Sequence, residues 1–295
     1  MKNFIFNLIF LFSILAFFSC KKEEQSAVIS FDTPVKATIS GYTGNIMEPF
    51  ITKDDKILFF NNLNSQPENT NLHWALKIND TLFSYQGEIA NVNSPEIEGV
   101  ASMDANNNFY YVSTNNYAST LKSLYYAEFN NGTLSNNTTI ENIAKEKNYW
   151  INFDAEITND GNQLFYVEAK MDSKAIPVKA DIFIAKKNNT NFEKIESSSK
   201  TLATVNTNEL EYAPCISSNY LELFFTRLKT PINSNSKPQI YYCTRKTTDA
   251  PFGKAVLIEN FDGFVEAPTL TNDGKTIYYH KHVDGKFSLF MSKRK

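Results

Sequence analysis

Residues 266–279 read Glu266-Ala267-Pro268-Thr269-Leu270-Thr271-Asn272-Asp273-Gly274-Lys275-Thr276-Ile277-Tyr278-Tyr279. A short run, a tight Asn-Asp-Gly turn and a second run ending in paired aromatics spell strand, turn, strand. The pattern recurs at 49–60 (PFITKDDKILFF), 100–111 (VASMDANNNFYY), 155–166 (AEITNDGNQLFY) and 214–225 (PCISSNYLELFF). The aromatic pairs begin at Phe59, Tyr110, Phe165, Phe224 and Tyr278, so the spacing stays between 51 and 59 residues. A period of that size marks a repeat architecture, in which each unit buries its faces only against its neighbours.

Beyond each aromatic pair and a loop lies a third strand of one type: 72–77 (LHWALK), 124–128 (LYYAE), 182–186 (IFIAK), 240–244 (IYYCT) and 289–293 (LFMSK). A fourth strand follows in four repeats, around 82–85, 138–143, 192–195 and 255–258, while the fifth repeat reaches Lys295 without one. Residues 35–40 (VKATIS) alternate apolar and polar with period two and have no unit of their own. Supplying the fourth strand of the last unit, they would leave no unfinished edge. The fold class implied is all-β: a β-propeller of five four-stranded blades closed by this N-terminal strand, with six blades as the alternative.

The unit resembles the TolB-type propeller repeat, whose core is an acidic residue, a proline, a Ser-Pro-Asp-Gly-like turn and an aromatic strand. Asp160-Gly161 and Asp273-Gly274 match the turn closely, Asp54-Asp55 partly, and Ala105-Asn106 and Asn219-Tyr220 poorly. The resemblance covers roughly residues 35–295 and implies a propeller. It leaves activity open, because that family includes scaffolds, envelope proteins and propellers attached to enzymes.

The N-terminus reads as an address. Met1-Lys2-Asn3 is positively charged, and residues 4–18 are an apolar run, shorter than the roughly 20 residues a spanning helix needs. Ser19-Cys20 resembles the lipobox of bacterial lipoproteins, with the bulky Phe17 and Phe18 a departure from its strict form. That resemblance implies a signal peptide at 1–19 and lipidation of Cys20, with ordinary secretion or an uncleaved anchor as alternatives. A flexible tether at 20–30 and a propeller domain at 31–295 complete the division. Lys21-Lys22-Glu23-Glu24 resembles the signal that sends some lipoproteins of Gram-negative gliding-type bacteria to the cell surface. An outer-membrane lipoprotein follows, surface-exposed or periplasmic. With Cys20 assigned to lipid, Cys215 and Cys243 remain. They fall on the first and third strands of one repeat, about 9.5 Å apart, where a disulfide tolerates about 7 Å, so both are read as buried, unpaired thiols.

Over 295 residues the formal charge is only -3, which gives no electrostatic footprint for nucleic acid; a monomer is expected. Within each repeat the first turn is tight and the next connection long, and loops between repeats are also long. Both long classes emerge at one end of a propeller, and function goes with the elaborated end. Tyr117, Tyr149, Trp150 and Arg227 lie there as ligand-binding candidates. Near the entry of each first strand stands an acid: Glu48, Glu98, Asp154, Glu211 and Glu266. Each either accepts backbone N–H bonds from the next blade or joins a ring of acids at the channel mouth, able to bind a cation or flank a glycosidic bond. Five-bladed glycosidases carry carboxylates in such positions, a likeness of architecture only. His280 and His282 are a weak metal pair without a visible third ligand. No phosphate loop, nucleophile elbow or zinc motif occurs, and no cofactor is called for. The sequence thus reads as a lipid-anchored envelope propeller that binds a protein or glycan partner. The alternative is a glycan-processing enzyme working through the channel-mouth acids.

Overall fold

In the computed structural model, which describes residues 25–63, 69–189, 191–233 and 235–295, two short strands come first, β1 (Val35–Lys36) and β2 (Thr38–Ser40). Antiparallel meanders then follow one another. The first comprises β3 (Met47–Ile51), β4 (Ile57–Asn61), β5 (Leu72–Asn79) and β6 (Leu82–Glu88); the second, β7 (Glu98–Met103), β8 (Asn108–Ser113), β9 (Leu124–Asn130) and β10 (Thr133–Thr139). The third comprises β11 (Trp150–Ile157), β12 (Gln163–Met171), β13 (Pro177–Asn188) and β14 (Asn191–Lys194); the fourth, β15 (Leu210–Ile216), β16 (Glu222–Leu228), β17 (Gln239–Thr244) and β18 (Val256–Leu257). The last has three strands of its own, β19 (Phe264–Leu270), β20 (Thr276–Val283) and β21 (Lys286–Lys293). A single parallel pairing, Ala180 with Leu210, joins the third and fourth meanders into one eight-stranded sheet.

The last meander takes its fourth strand from the N-terminal side: Val35 pairs with Met291 and Lys36 with Phe290. The sequence reads 35–40 as one strand, and here the structure differs. Ala37 N–H still donates to Leu289 O, but Thr38–Ser40 leave β21 and run parallel to β6 of the first meander, Thr38 opposite Leu82. The cause is burial: Ala37 and Ile39 both sink into a cluster built by the last and first meanders together, so the segment lies across that seam. Residues 25–31, partly within the stretch read as tether, also make contacts. Ala27 N–H donates to Thr244 Oγ1 (2.8 Å), Ile29 N–H to Tyr242 Oη (3.0 Å), and Phe31 is buried against Phe224 and Phe261. The signal-peptide residues, Cys20 and residues 21–24 lie outside the described residues.

Neighbouring residues on a strand face opposite sides of the sheet, which explains the paired aromatics. Phe59 packs with Phe109 and Phe129 of the second meander, whereas Phe60 faces Tyr278 and Leu289 of the last. In the same way Tyr111 and Tyr110, Phe165 and Tyr166, Phe225 and Phe224, and Tyr279 and Tyr278 divide between two clusters each. Every cluster therefore draws on two meanders, and one of them joins the last to the first. Both neighbours are needed to bury each sheet, which is why no single unit has a core of its own.

The first turn of each meander is one structure in five sequences. At Thr52, Thr158, Ser217 and Thr271 a hydroxyl donates to the Asp or Asn two residues on (2.7–2.8 Å) and accepts the N–H five residues on (2.9–3.0 Å). Asp104 replaces that pair in the second meander, accepting from the N–H groups of Asn106 and Asn108. Three residues after these positions the backbone turns left-handed in every copy: Asp55 (φ 58), Asn107 (φ 64), Gly161 (φ 71), Tyr220 (φ 62) and Gly274 (φ 70). Turns that match the TolB-type pattern poorly in sequence thus adopt the same geometry.

A β-carbon at Gly161 would meet Asp104 Oδ2 at 2.5 Å, whereas at Gly274 the nearest atom is 3.9 Å away. Both substitutions to alanine strain a left-handed residue, at about 1 kcal/mol. Gly161→Ala should lower the melting temperature clearly more than Gly274→Ala in parallel thermal denaturations, because only Gly161 adds a collision with the neighbouring meander.

Candidate functional site

Every innermost strand carries a β-bulge, where the register slips between Met47 and Phe50, Gly99 and Ser102, Asn152 and Ala155, Tyr212 and Cys215, and Glu266 and Thr269. A bulge re-aims the backbone and frees an N–H from the ladder. Four of the bulges hold a left-handed residue: Glu48 (φ 47), Val100 (φ 55), Ala213 (φ 47) and Ala267 (φ 53). Their N–H groups find acceptors in the preceding meander. Val100 donates to Asn61 Oδ1 (3.1 Å), Ala213 to Asp154 Oδ2 (2.8 Å) and Ala267 to Thr226 Oγ1 (3.0 Å). Glu48 donates to His280 Nδ1 (3.1 Å), which belongs to the last meander.

These strands enclose a narrow axial cavity of about 30 Å³, lined among others by Pro49, Ala101, Glu156, Pro214 and Pro268. Lys53 Nζ and Glu156 Oε1 form a buried ion pair at 2.8 Å beside it. At the end where the innermost strands begin, the cavity widens into a pocket of about 400 Å³ that shares Glu48, Val100 and Asp154 with it. The walls of the pocket are apolar, supplied by Ile97, Val100, Ile151, Phe153, Met171 and Leu228 among others. Its acids are Glu48, Asp154 and Glu266, and among the described residues no lysine, arginine or histidine lines it.

Three of the five acids singled out in the sequence therefore meet in one pocket. Glu98 and Glu211 turn away and tie down their own entry loops. Glu98 accepts from Ser94 N–H, Ser94 Oγ and Ser113 Oγ; Glu211 accepts from Thr207 N–H, Thr207 Oγ1 and Arg227 Nε. Glu266 accepts from the Tyr212 hydroxyl and from His280 Nε2 (2.9 Å). Because His280 Nδ1 accepts the Glu48 N–H, the neutral imidazole carries its proton on Nε2. Burial lowers the His280 pKa, and the hydrogen bond to Glu266 with the charges of Glu48 and Glu266 more than reverses that, for a net rise. Asp154 is 3% exposed, and only Oδ2 has a hydrogen-bond partner among the described residues, the Ala213 N–H. Burial first, and the charge of Glu266 beside it, hold its carboxyl well above the usual range against that one hydrogen bond.

One ligand atom each from Glu48, Glu266 and His280 lie within 4.8 Å of one another; His282 is outside this group and packs on Phe264 and Phe287. The other candidates take different places. Arg227 is engaged by Glu211 (2.7 Å) and Val205 O (2.8 Å) and lies over the Tyr241 ring. Tyr117 donates its hydroxyl to Trp150 O, and Lys145 Nζ sits 3.3 Å from the centre of the Trp150 ring. Tyr149 is 58% exposed, and Ile151, two residues on, lines the pocket. Cys215 and Cys243 are buried free thiols. Tyr212 and the apolar walls escape the sequence reading, because their positions depend on the bulge register.

No family model and no curated protein matches the chain. Among solved structures it is similar to the catalytic domain of the GH62 α-L-arabinofuranosidase of Coprinopsis cinerea: TM-score 0.54, 12% identity, 92% of this chain and 98% of that one. It is also similar to an endo-arabinase from Bacteroides thetaiotaomicron: TM-score 0.52, 13% identity, 88% of this chain and 96% of that one. TolB from Acinetobacter baumannii matches more loosely: TM-score 0.45, 13% identity, 85% of this chain and 55% of that one. The fold is a β-propeller. Among the described residues no helix of this propeller is long and apolar enough to cross a membrane.

The Asp154 carboxyl sets a testable sign. With its folded pKa above the unfolded value of about 3.9, ionisation destabilises the propeller as pH rises from that value through the folded pKa. Asn keeps an acceptor for the Ala213 N–H and removes the charge. Asp154→Asn should therefore raise stability at pH 8 by about 1 kcal/mol or more, roughly 2–4 °C in melting temperature. The gain should shrink toward pH 4, and melting curves across that range check both parts. A loss of stability at pH 8 would show that the carboxylate is not strained.

Proposed function

We propose that the chain is a lipid-anchored envelope protein whose propeller has five blades, closed between its N-terminal strand and its last meander, and binds a ligand through the pocket over its axis. The pairing of Val35 with Met291 and the cluster joining the last and first meanders support the closure. The observation that carries the binding reading is the pocket itself. It is about 400 Å³ in volume, it draws residues from all the innermost strands, and its walls are apolar with a few convergent polar groups. The lipobox-like residues before Cys20 support the address. The apolar lining fits a ligand held largely by burial, and Tyr149, Ile176 and Val178, all exposed, lie within two residues in sequence of the lining residues Ile151 and Pro177.

A second reading, glycan processing, draws support from Asp154. A carboxyl whose pKa is raised by burial and by a second carboxylate beside it is the arrangement a general acid needs. The walls count against it, since they offer few donors for sugar hydroxyls.

Two experiments test these readings. Cys20→Ala should move the protein from the membrane to the soluble fraction; continued membrane pelleting of a cleaved, unacylated protein would reject the anchor. Ile151→Trp fills the pocket from its wall. In a thermal-shift screen of peptides and glycans, hits on the wild type should vanish in this variant, and hits that persist would place binding elsewhere. New reducing ends released from a glycan by wild type but not by Asp154→Asn would favour the enzyme.

A further inference from the structure

We propose that the pocket accepts an aliphatic primary ammonium group, its carbon chain along the apolar walls and its charged end on the floor formed by Asp154, Glu48 and Glu266. The inference rests on the reading of this pocket as the binding site and names the chemistry of its occupant.

Three observations point the same way. The floor gathers three carboxyl groups, Glu266 being held from behind by His280, and among the described residues no lysine, arginine or histidine lines the pocket. Asp154 is more than nine-tenths buried, lines the cavity, and its Oδ1 has no hydrogen-bond partner among the described residues. Oδ2, by contrast, is fixed by the Ala213 N–H, so the free oxygen is held in place rather than swinging. The third observation is the wall. Ile151, Phe153, Leu210 and Leu228 present carbon and Met171 a thioether, none of them an N–H or O–H, and the Tyr212 hydroxyl is already given to Glu266.

An anion would meet carboxyl groups on the floor and, among the described residues, no cation in the lining. A sugar would leave its hydroxyls facing carbon. A bare metal ion would use the floor and leave the walls idle, and both nitrogens of His280 are engaged already, by Glu48 N–H and by Glu266. An ammonium ion supplies three N–H donors and no acceptor, which suits a floor of acceptors. A straight methylene chain behind it buries its surface along the walls. Ile97, at the rim, is itself partly exposed and extends the apolar path outward. The same group is presented by a free alkylamine and by a lysine side chain of a peptide.

The test is calorimetry on the full chain in detergent at pH 7, with n-hexylamine, ethylamine, hexan-1-ol, hexanoate and N-acetyl-lysine amide as probes. Hexylammonium should bind, hexanol at least tenfold more weakly, hexanoate not measurably, and affinity should fall about fourfold for each methylene removed. Asp154→Asn should weaken hexylammonium at least tenfold, and Ile151→Trp should abolish its binding. N-acetyl-lysine amide matching hexylammonium assigns the group to a protein partner's side chain; a clear preference for hexylammonium assigns it to a free amine. Hexanol binding as tightly as hexylammonium, unchanged affinity in Asp154→Asn, or no amine binding to the folded wild type overturns the inference. Should Asp154→Asn fail to fold, the ratio of hexylammonium to hexanol on the wild type decides alone. In the case of overturn, a peptide or glycan hit lost in Ile151→Trp leaves the pocket reading standing. Amine binding that survives Ile151→Trp overturns both.

Discussion

A backbone N–H pushed out of its ladder by a bulge must find another acceptor if it is buried, and in this protein the acceptor belongs to the preceding meander. Asn61, Asp154 and Thr226 each hold the bulge of the next unit, and His280 holds Glu48 across the seam between the ends of the chain. The aromatic pairs impose the same dependence in apolar form, because each sheet exposes rings on both faces. An isolated unit would carry an unsatisfied N–H at its inner edge and bare aromatics on both sides. Folding is therefore cooperative between neighbours, and the last meander needs the first as much as any other pair does.

That dependence explains which parts of the fold were legible. Repeat spacing, the alternation of residues 35–40 and the paired aromatics are local consequences of burial, and they identify the strands directly. The turns were harder. Asn107 and Tyr220 do not look like Gly161 and Gly274, yet the Thr/Ser-x-Asp/Asn hydroxyl relay, or Asp104 in its place, forces one backbone shape on all. The relay, not the glycine, defines the turn. The division of residues 35–40 between two sheets could not be read, because alternation shows that a strand has a buried face but not that the face bridges two sheets.

The acids show where legibility ends. Relative to the bulge, Asp154 stands at the Pro/Ala position, Glu48 one residue before it and Glu266 two before, and all three line the pocket. Glu98 and Glu211 stand three before it, opposite Ser113 and Arg227 on the adjacent strand, and there the side chain serves its own loop. A shift of one to three residues thus separates an acid at the axis from an acid in a loop. The sequence displays the spacing, but only hydrogen-bond register says what it means.

Asp154 belongs both to the bulge scaffold and to the pocket. One carboxylate oxygen does what Asn61 and Thr226 do elsewhere, accepting a bulge N–H, and a neutral side chain performs that task in both of those meanders. The interface therefore does not require a charge at this place. A buried carboxylate whose neighbour Glu266 is also acidic works against stability, and its second oxygen opens on the pocket without a partner among the described residues. Where the architecture is indifferent to a charge and stability opposes it, the carboxyl fits the proposed role of this cavity in binding a ligand. The bulge makes such a residue possible at small structural cost, since its side chain can vary from meander to meander while the backbone N–H keeps its acceptor.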